Sequence, residues 1–247
     1  HRLRNQDGQI WFAQTVRRLI AESKLIDSSN HVQDPYSIRC APQIQGSTKE
    51  ILEFSEKQIT AEINAVTDNP ILFNENEAIS GGNFHGEILA QLFDFLKISF
   101  AEIGSVSERR IYRMTDENLN SGLPPMLIGL KSKAGLNSGM MMPQYTAVSL
   151  ALENKQLSTP DSVHSLPTSG GQEDHNANSM TAARNLKRVL DNVAHILTIE
   201  CFCGLKGLRY REEMDPDNCP GVGSQILIKI IGDRMKHSDD DTFWAPH

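Results

Sequence analysis

An amide, a phenol and a guanidinium recur at a spacing of three in the octapeptide Val32 to Arg39, as Gln33, Tyr36 and Arg39. A guanidinium presents paired N–H donors to a carboxylate, and a phenol beside it can give or take a proton. Asp34 followed by Pro35 predicts a helix start, with Asp as N-cap and a ring whose fixed φ suits the first helical position. Tyr36 and Arg39 then share a helical face. Taken alone, the octapeptide is read more simply as a capped surface helix with an exposed Arg and a half-buried Tyr, because capping signals are common.

Two further loops bring polar groups to helix starts. Ser80-Gly81-Gly82 leads into Asn83, Phe84 and His85, and a Pro/Ser/Gly-rich loop from Ser158 to Gly171 delivers Gln172, Glu173, Asp174 and His175. Converging loops on a rigid scaffold are where sites are built.

The elements that must position these groups are helical. Apolar residues at helical spacing predict helices over Gln9–Ile26, from a capping box at Ser47–Glu50 to Asp68-Asn69-Pro70, and over Glu87–Met114. Three more follow: Ser138–Leu157, bent at Pro143; Met180 to Gly204 or Gly207; and about Ser224–Met235. A short strand pair is expected at Ile71–Phe73 and Ala78–Ile79, and polar residues 27–32 and the stretch Asn118–Asn137 read as loops. The fold class is mainly α, a bundle of long helices with extended loops, and residues 1–247 read as one helical domain with no internal repeat.

Bulk properties narrow the function. With 247 residues the chain buries a sizeable core, and a net charge of -7 without a basic block argues against nucleic acid or a membrane surface as partner. No apolar run is long enough to span a bilayer. Cys40, Cys201, Cys203 and Cys219 are sparse and poorly spaced for a disulfide or a zinc site, so they read as reduced thiols in cytoplasm. Gly221-Val222-Gly223 lacks the third glycine and the preceding strand of a dinucleotide fingerprint, and His164 and His175 are too far apart in sequence and too poorly supported by neighbouring carboxylates to point to a metal site.

Six stretches in register carry a resemblance: Val32–Gln43, Thr67–Pro70, Ser80–His85, Ser107–Arg110, Ser121–Pro125 and Ser165–His175. They resemble the aromatic amino acid ammonia-lyase and aminomutase family, and within it the histidine ammonia-lyases, over almost the whole chain. This overturns the simpler reading of the octapeptide. The resemblance implies a homotetramer whose long helices form a central bundle, with each active site lined by several subunits. It also implies a methylidene-imidazolone electrophile made from an internal Ala-Ser-Gly, with no metal or nucleotide. No Ala-Ser-Gly occurs in this sequence. The chain is therefore expected to be the C-terminal portion of a longer lyase, trimmed slightly at its far end, and to be inactive without the half that forms the electrophile.

Roles follow residue by residue from the same resemblance. Arg39 would pair with the substrate carboxylate, Tyr36 would transfer a proton near the prosthetic ring, and Gln33 would hydrogen-bond in the same pocket. Phe84 would pack against ring and substrate, with Asn69 and His85 as polar contacts. Glu173 would face an imidazole or serve as base. A carboxylate suits an imidazole N–H and gives nothing to a phenyl ring, which points to L-histidine going to urocanate and ammonia. Gly170-Gly171, in place of the family's usual Ala-Asn, and Asn176-Ala177-Asn178, in place of the usual Val, depart from the pattern. The alternatives are a tyrosine or phenylalanine lyase or aminomutase, and a non-catalytic helical scaffold.

Overall fold

The computed structural model describes residues 1–26, 32–132, 135–234 and 240–241. Its elements, in order, are α1 (Asp7–Leu19), α2 (Tyr36–Arg39), α3 (Ala41–Ile63), β1 (Ile71–Asn74), β2 (Glu77–Ile79), α4 (Glu87–Thr115), α5 (Met141–Leu157), α6 (Ser179–Met214) and α7 (Val222–Gly232). The mainly helical class is as the periodicity implied.

The core lies where α4, α5 and α6 pack side by side. Ile111, Ala147, Ala151, Ile196, Cys203 and Tyr210 form one buried cluster, and Ile103, Val189 and Val193 a second. Both form where apolar positions of neighbouring helices meet, and burying them drives the bundle. At about 1.5 Å per residue, the 29 residues of α4 span about 43 Å. That length separates whatever stands at its two ends.

Several boundaries differ from the sequence expectation, each for a local reason. α1 stops at Leu19 rather than Ile26 because its last carbonyls turn to α7. Ser224 Oγ donates to the Leu19 carbonyl (3.0 Å) and the Val222 N–H to that of Ala21 (3.0 Å). Pro35, not Asp34, occupies the N-cap of α2, with φ -65° and ψ 161°, and no side chain caps the helix. α3 starts at Ala41, with Pro42 in its first turn, so Ser47–Glu50 lies inside the helix instead of capping it. Ser47 Oγ donates back to the Ile44 carbonyl (2.7 Å), and Glu50 Oε1 accepts the Gly8 N–H (2.8 Å), capping the start of α1 across the helix crossing. That crossing is close: a Cβ on Gly8 would lie 2.1 Å from the Gly46 carbonyl oxygen.

α3 ends at Ile63, short of Asp68-Asn69-Pro70, where Asn64 Nδ2 returns to the Thr60 carbonyl (2.7 Å). The strand pair forms where expected, with Ile71 opposite Ile79 and Leu72 opposite Ala78. Pro143 falls in the first turn of α5, where its missing N–H has no helical partner to lose, so it opens the helix rather than bending it. α6 runs through Gly204 and Gly207 to Met214, because burial of Leu205 and Tyr210 outweighs a helix penalty of about 1 kcal/mol per glycine. α7 starts two residues early, at Val222; its expected end at Met235, the loop residues 27–31 and most of the acidic tail lie outside the described residues.

Candidate active site

The turn preceding α4 and the loop preceding α6 come together at the two helix starts. Gly86 and Ser179 abut there, so closely that a Cβ on Gly86 would meet Ser179 Oγ at 3.0 Å. His85 and His175 stack with centroids 5.9 Å apart and planes 10° apart. His85 Nε2 lies 3.1 Å from the His175 carbonyl, which can only accept, so the proton sits on Nε2. His175 Nε2 in turn stands 3.9 Å from Glu87 Oε2 at the head of α4.

An open cleft of about 630 Å³ lies here, with Phe84, His85, Thr168, Gln172, Glu173 and His175 on its walls. Phe84 is 56% exposed, so its ring remains largely open on the cleft wall. Glu173 is held at the tip of its loop by a two-way backbone bridge to Thr168 and by Thr168 Oγ1, which donates to its Oε2 (2.8 Å). Among the described residues no hydrogen bond reaches Glu173 Oε1, so that oxygen can accept an N–H from a bound molecule.

Asn69 stands behind the second loop. Its Oδ1 accepts from Ser80 Oγ (3.0 Å) and from the Gly81 N–H (2.9 Å), which commits the carbonyl to shaping the Ser-Gly-Gly turn and leaves only the amide N–H groups for a ligand.

The first loop is elsewhere. None of Gln33, Tyr36 and Arg39 lines the cleft that holds Phe84 and Glu173. The Ser37 carbonyl accepts a bond from Arg110 Nη1 (3.2 Å), which docks α2 toward the far end of α4. From Glu87 to Arg110 is about 35 Å along the helix axis. Tyr36 and Arg39 do share a face, as their spacing implied: the guanidinium carbon sits 4.7 Å from the centroid of the phenol ring. Both are solvent-exposed, Tyr36 at 69%. No molecule the size of an amino acid reaches from them to Glu173 of the same chain.

The sequence reading assigned no role to the groups that hold this scaffold. Arg110 grips Glu200 of α6 through Nε and through Nη2 (2.9 Å), and Ser107 Oγ donates to the same carboxylate (2.5 Å). Asp94 and Lys97, one turn apart on α4, are both buried, and with Asp161 they form an ion cluster beneath the third loop. Asp and Lys three residues apart inside an apolar stripe were the available signal. Burial pushes the Asp94 carboxyl up, but Lys97, the backbone N–H groups of Asp161 and Ser162 and the Ser162 hydroxyl outweigh it and hold the carboxyl below its ordinary value. Among the described residues no group of three or more His, Cys, Asp or Glu is arranged to hold a metal ion, and no helix is long and apolar enough to cross a membrane.

The sequence profile of the family described as Aromatic amino acid lyase matches residues 1–231. The chain belongs to that family. It is 42% identical over 243 residues to the histidine ammonia-lyase of Natranaerobius thermophilus, covering 97% of this chain and 46% of that protein. To the histidine ammonia-lyase of Caldanaerobacter subterraneus it is 46% identical, covering 97% of this chain and again 46% of the other. Among solved structures, the histidine ammonia-lyase of Trypanosoma cruzi superposes with a TM-score of 0.85 at 35% identity, over 98% of this chain and 44% of that one. The phenylalanine aminomutase of Pantoea agglomerans gives 0.88 at 27% identity, over 98% and 50%. The chain thus spans about half the length of the curated relatives it matches.

Proposed function

We propose that this chain is the C-terminal portion of a histidine ammonia-lyase, which eliminates ammonia from L-histidine to give urocanate. The observation that carries this reading is Glu173, a carboxylate with one oxygen uncommitted, facing a cleft walled by Phe84 and His85. An imidazole N–H is the substrate group that such an acceptor reads. The identity of the relatives supports the same choice. The aminomutase superposes slightly better but is less identical, and superposition reports the shared scaffold rather than the groups on it.

The family's methylidene-imidazolone, held beside this cleft, would supply an electrophile for the substrate amine. The cleft fits such a group on one count, since the exposed ring of Phe84 offers a face for a planar partner to cover. The Ala-Ser-Gly that forms it is absent from this sequence, so it would come from another segment. Neither of the buried nucleophilic groups Cys203 and Lys97 replaces it. Burial, then the charge of Glu200, pushes the Cys203 thiol up to about 12, and the Lys97 ammonium is enclosed by carboxylates.

The chain's own residues bind and orient. Arg39 holds the substrate carboxylate by two parallel N–H bonds, Gln33 adds a hydrogen bond beside it, and Tyr36 moves a proton at the same end. Glu173 accepts the imidazole N–H at the other end or takes the β-proton, while Phe84 covers the ring and excludes water. The axial distance between these ends within one subunit means that a complete site draws Arg39 from one subunit and Glu173 from another. A homotetramer of long helices, cytoplasmic and with all four cysteines as free thiols, is the assembly this reading implies.

The test is product analysis on the intact natural protein, offered histidine, tyrosine and phenylalanine in turn. Urocanate from histidine, with no acrylate product from the other two, is expected. A product from phenylalanine or tyrosine alone assigns the chain to the other branch, and no product from any of them makes it a scaffold.

A further inference from the structure

We propose that Lys97 is a positioning residue for Glu173, fixing the root of the loop 158–178 whose tip carries that carboxylate over the start of α4. The proposal rests on the lyase reading above.

Lys97 is fully buried, and a buried ammonium needs acceptors for its three N–H groups. It finds them in Asp94 Oδ1 (2.8 Å), the Thr159 carbonyl (3.1 Å) and Asp161 Oδ2. Asp94 spends both oxygens on the same loop, accepting the backbone N–H groups of Asp161 (3.0 Å) and Ser162 (2.9 Å). Asn185, on α6, donates to both oxygens of Asp161 (3.2 and 3.0 Å). Asn178 then closes the loop by donating to the carbonyls of Asp161 (3.1 Å) and His164 (2.9 Å). Entry and exit of the loop are therefore tied to one buried point between α4 and α6.

Above that point the loop braces itself. Asn176 donates from its backbone to Ser165 Oγ (2.7 Å) and from Nδ2 to the Leu166 carbonyl (2.7 Å), and the Thr168–Glu173 bridge closes the tip. A loop so braced moves as a unit, so the height of its root sets the height of Glu173. The same helix that carries Lys97 begins next to Phe84 and His85, about 15 Å along the axis. α4 is thus the common ruler for both walls of the cleft. A buried ion cluster is a poor source of net stability compared with apolar packing of equal volume. Its directional bonds define a geometry that apolar packing does not, and the geometry defined here is the loop's.

The experiment uses the intact protein carrying Lys97→Met, which keeps an unbranched side chain one atom shorter and removes the ammonium, and Asp161→Asn, which changes the loop side of the pair. Hydrogen exchange across 158–178 is expected to quicken about tenfold or more, with the C-terminal halves of α4 and α6 unchanged. Turnover of histidine should fall roughly tenfold or more in kcat with a smaller change in KM. The deciding arm is a double-variant cycle: because Lys97 acts through Glu173, Lys97→Met should cost little further activity in a Glu173→Gln background. An equal cost in both backgrounds, or unchanged exchange in the loop, overturns the proposal. If Lys97→Met does not fold, the same cycle with Asp161→Asn decides. If the intact protein makes no urocanate at all, the lyase reading fails, while the exchange experiment still decides whether Lys97 fixes the loop.

Discussion

The Ser37 carbonyl accepts a 3.2 Å hydrogen bond from Arg110, 23 residues along α4 from Glu87, so the helix that presents Tyr36 and Arg39 is docked far from the cleft that presents Glu173. Two groups that would serve opposite ends of one small substrate stand at opposite ends of a helix. The proposed sharing of a site between subunits rests on that separation and not on any feature of the loops themselves.

Glu173→Gln in the intact protein keeps size and hydrogen-bonding capacity but removes the charge. Turnover of histidine is expected to fall roughly a hundredfold, with a much smaller change in KM, because the carboxylate end of the substrate is held elsewhere. Steady-state kinetics check this, and an unchanged kcat removes Glu173 from the chemistry.

How much of this was legible in the sequence depends on the range of the forces involved. The long stripes of α4 and α6 are local periodicities, and they gave the helical class and the interior of each element. The glycine- and proline-rich turns of the second and third loops are local signals, so the delivery of Phe84, His85 and Glu173 toward helix starts could be read as well, whereas the buried Asp94–Lys97–Asp161 anchor beneath the third loop could not. Boundaries set by distant partners could not. Glu50 looks like half of a capping box for its own helix, yet it caps α1, 42 residues away. Leu19 ends α1 because α7 arrives there. The separation of Arg39 from Glu173 was equally hidden, since it depends on where α2 docks along α4.

Asp94 makes acid stability sensitive to one residue. Its folded carboxyl titrates below the ordinary value of 3.8, so the stabilisation is complete above the unfolded value and is lost as pH falls through the lower, folded one. Urea midpoints measured downward from about pH 4 should fall more steeply for the wild type than for Asp94→Asn, which carries no such titration. Parallel curves would remove Asp94 from the acid transition.

Two glycines in helices should respond oppositely to alanine. A Cβ on Gly46 would lie 2.4 Å from the Gln9 backbone nitrogen, so Gly46→Ala forces α1 and α3 apart and should cost about 1–3 kcal/mol. Gly204 in α6 has nothing within 4 Å of its would-be Cβ, and Gly204→Ala should gain up to about 1 kcal/mol. Denaturant unfolding of both variants is the check, and a neutral Gly46→Ala would contradict the close crossing.

The chain purified as this sequence alone should form no urocanate from histidine. Arg39 and Glu173 can bind and orient, but binding without activation of the amine leaves the elimination barrier in place. Adding a separately expressed segment that carries Ala-Ser-Gly, if it docks, should restore turnover, and changing its Ser to Ala should abolish it again. Urocanate absorbance follows both, and turnover by the chain alone would mean that the electrophile has another source.

The most direct measurement is subunit complementation in the intact protein. Arg39→Met and Glu173→Gln variants are prepared separately, each expected to be nearly inactive, then dissociated together and reassembled. If, as proposed, a complete site takes Arg39 from one subunit and Glu173 from another, mixed assemblies should contain some sites with both residues intact, and urocanate formation should reappear well above the sum of the parents. Mixtures no more active than the parents, after mixed assembly is verified by mass, would contradict the account and return both residues to a site within one chain.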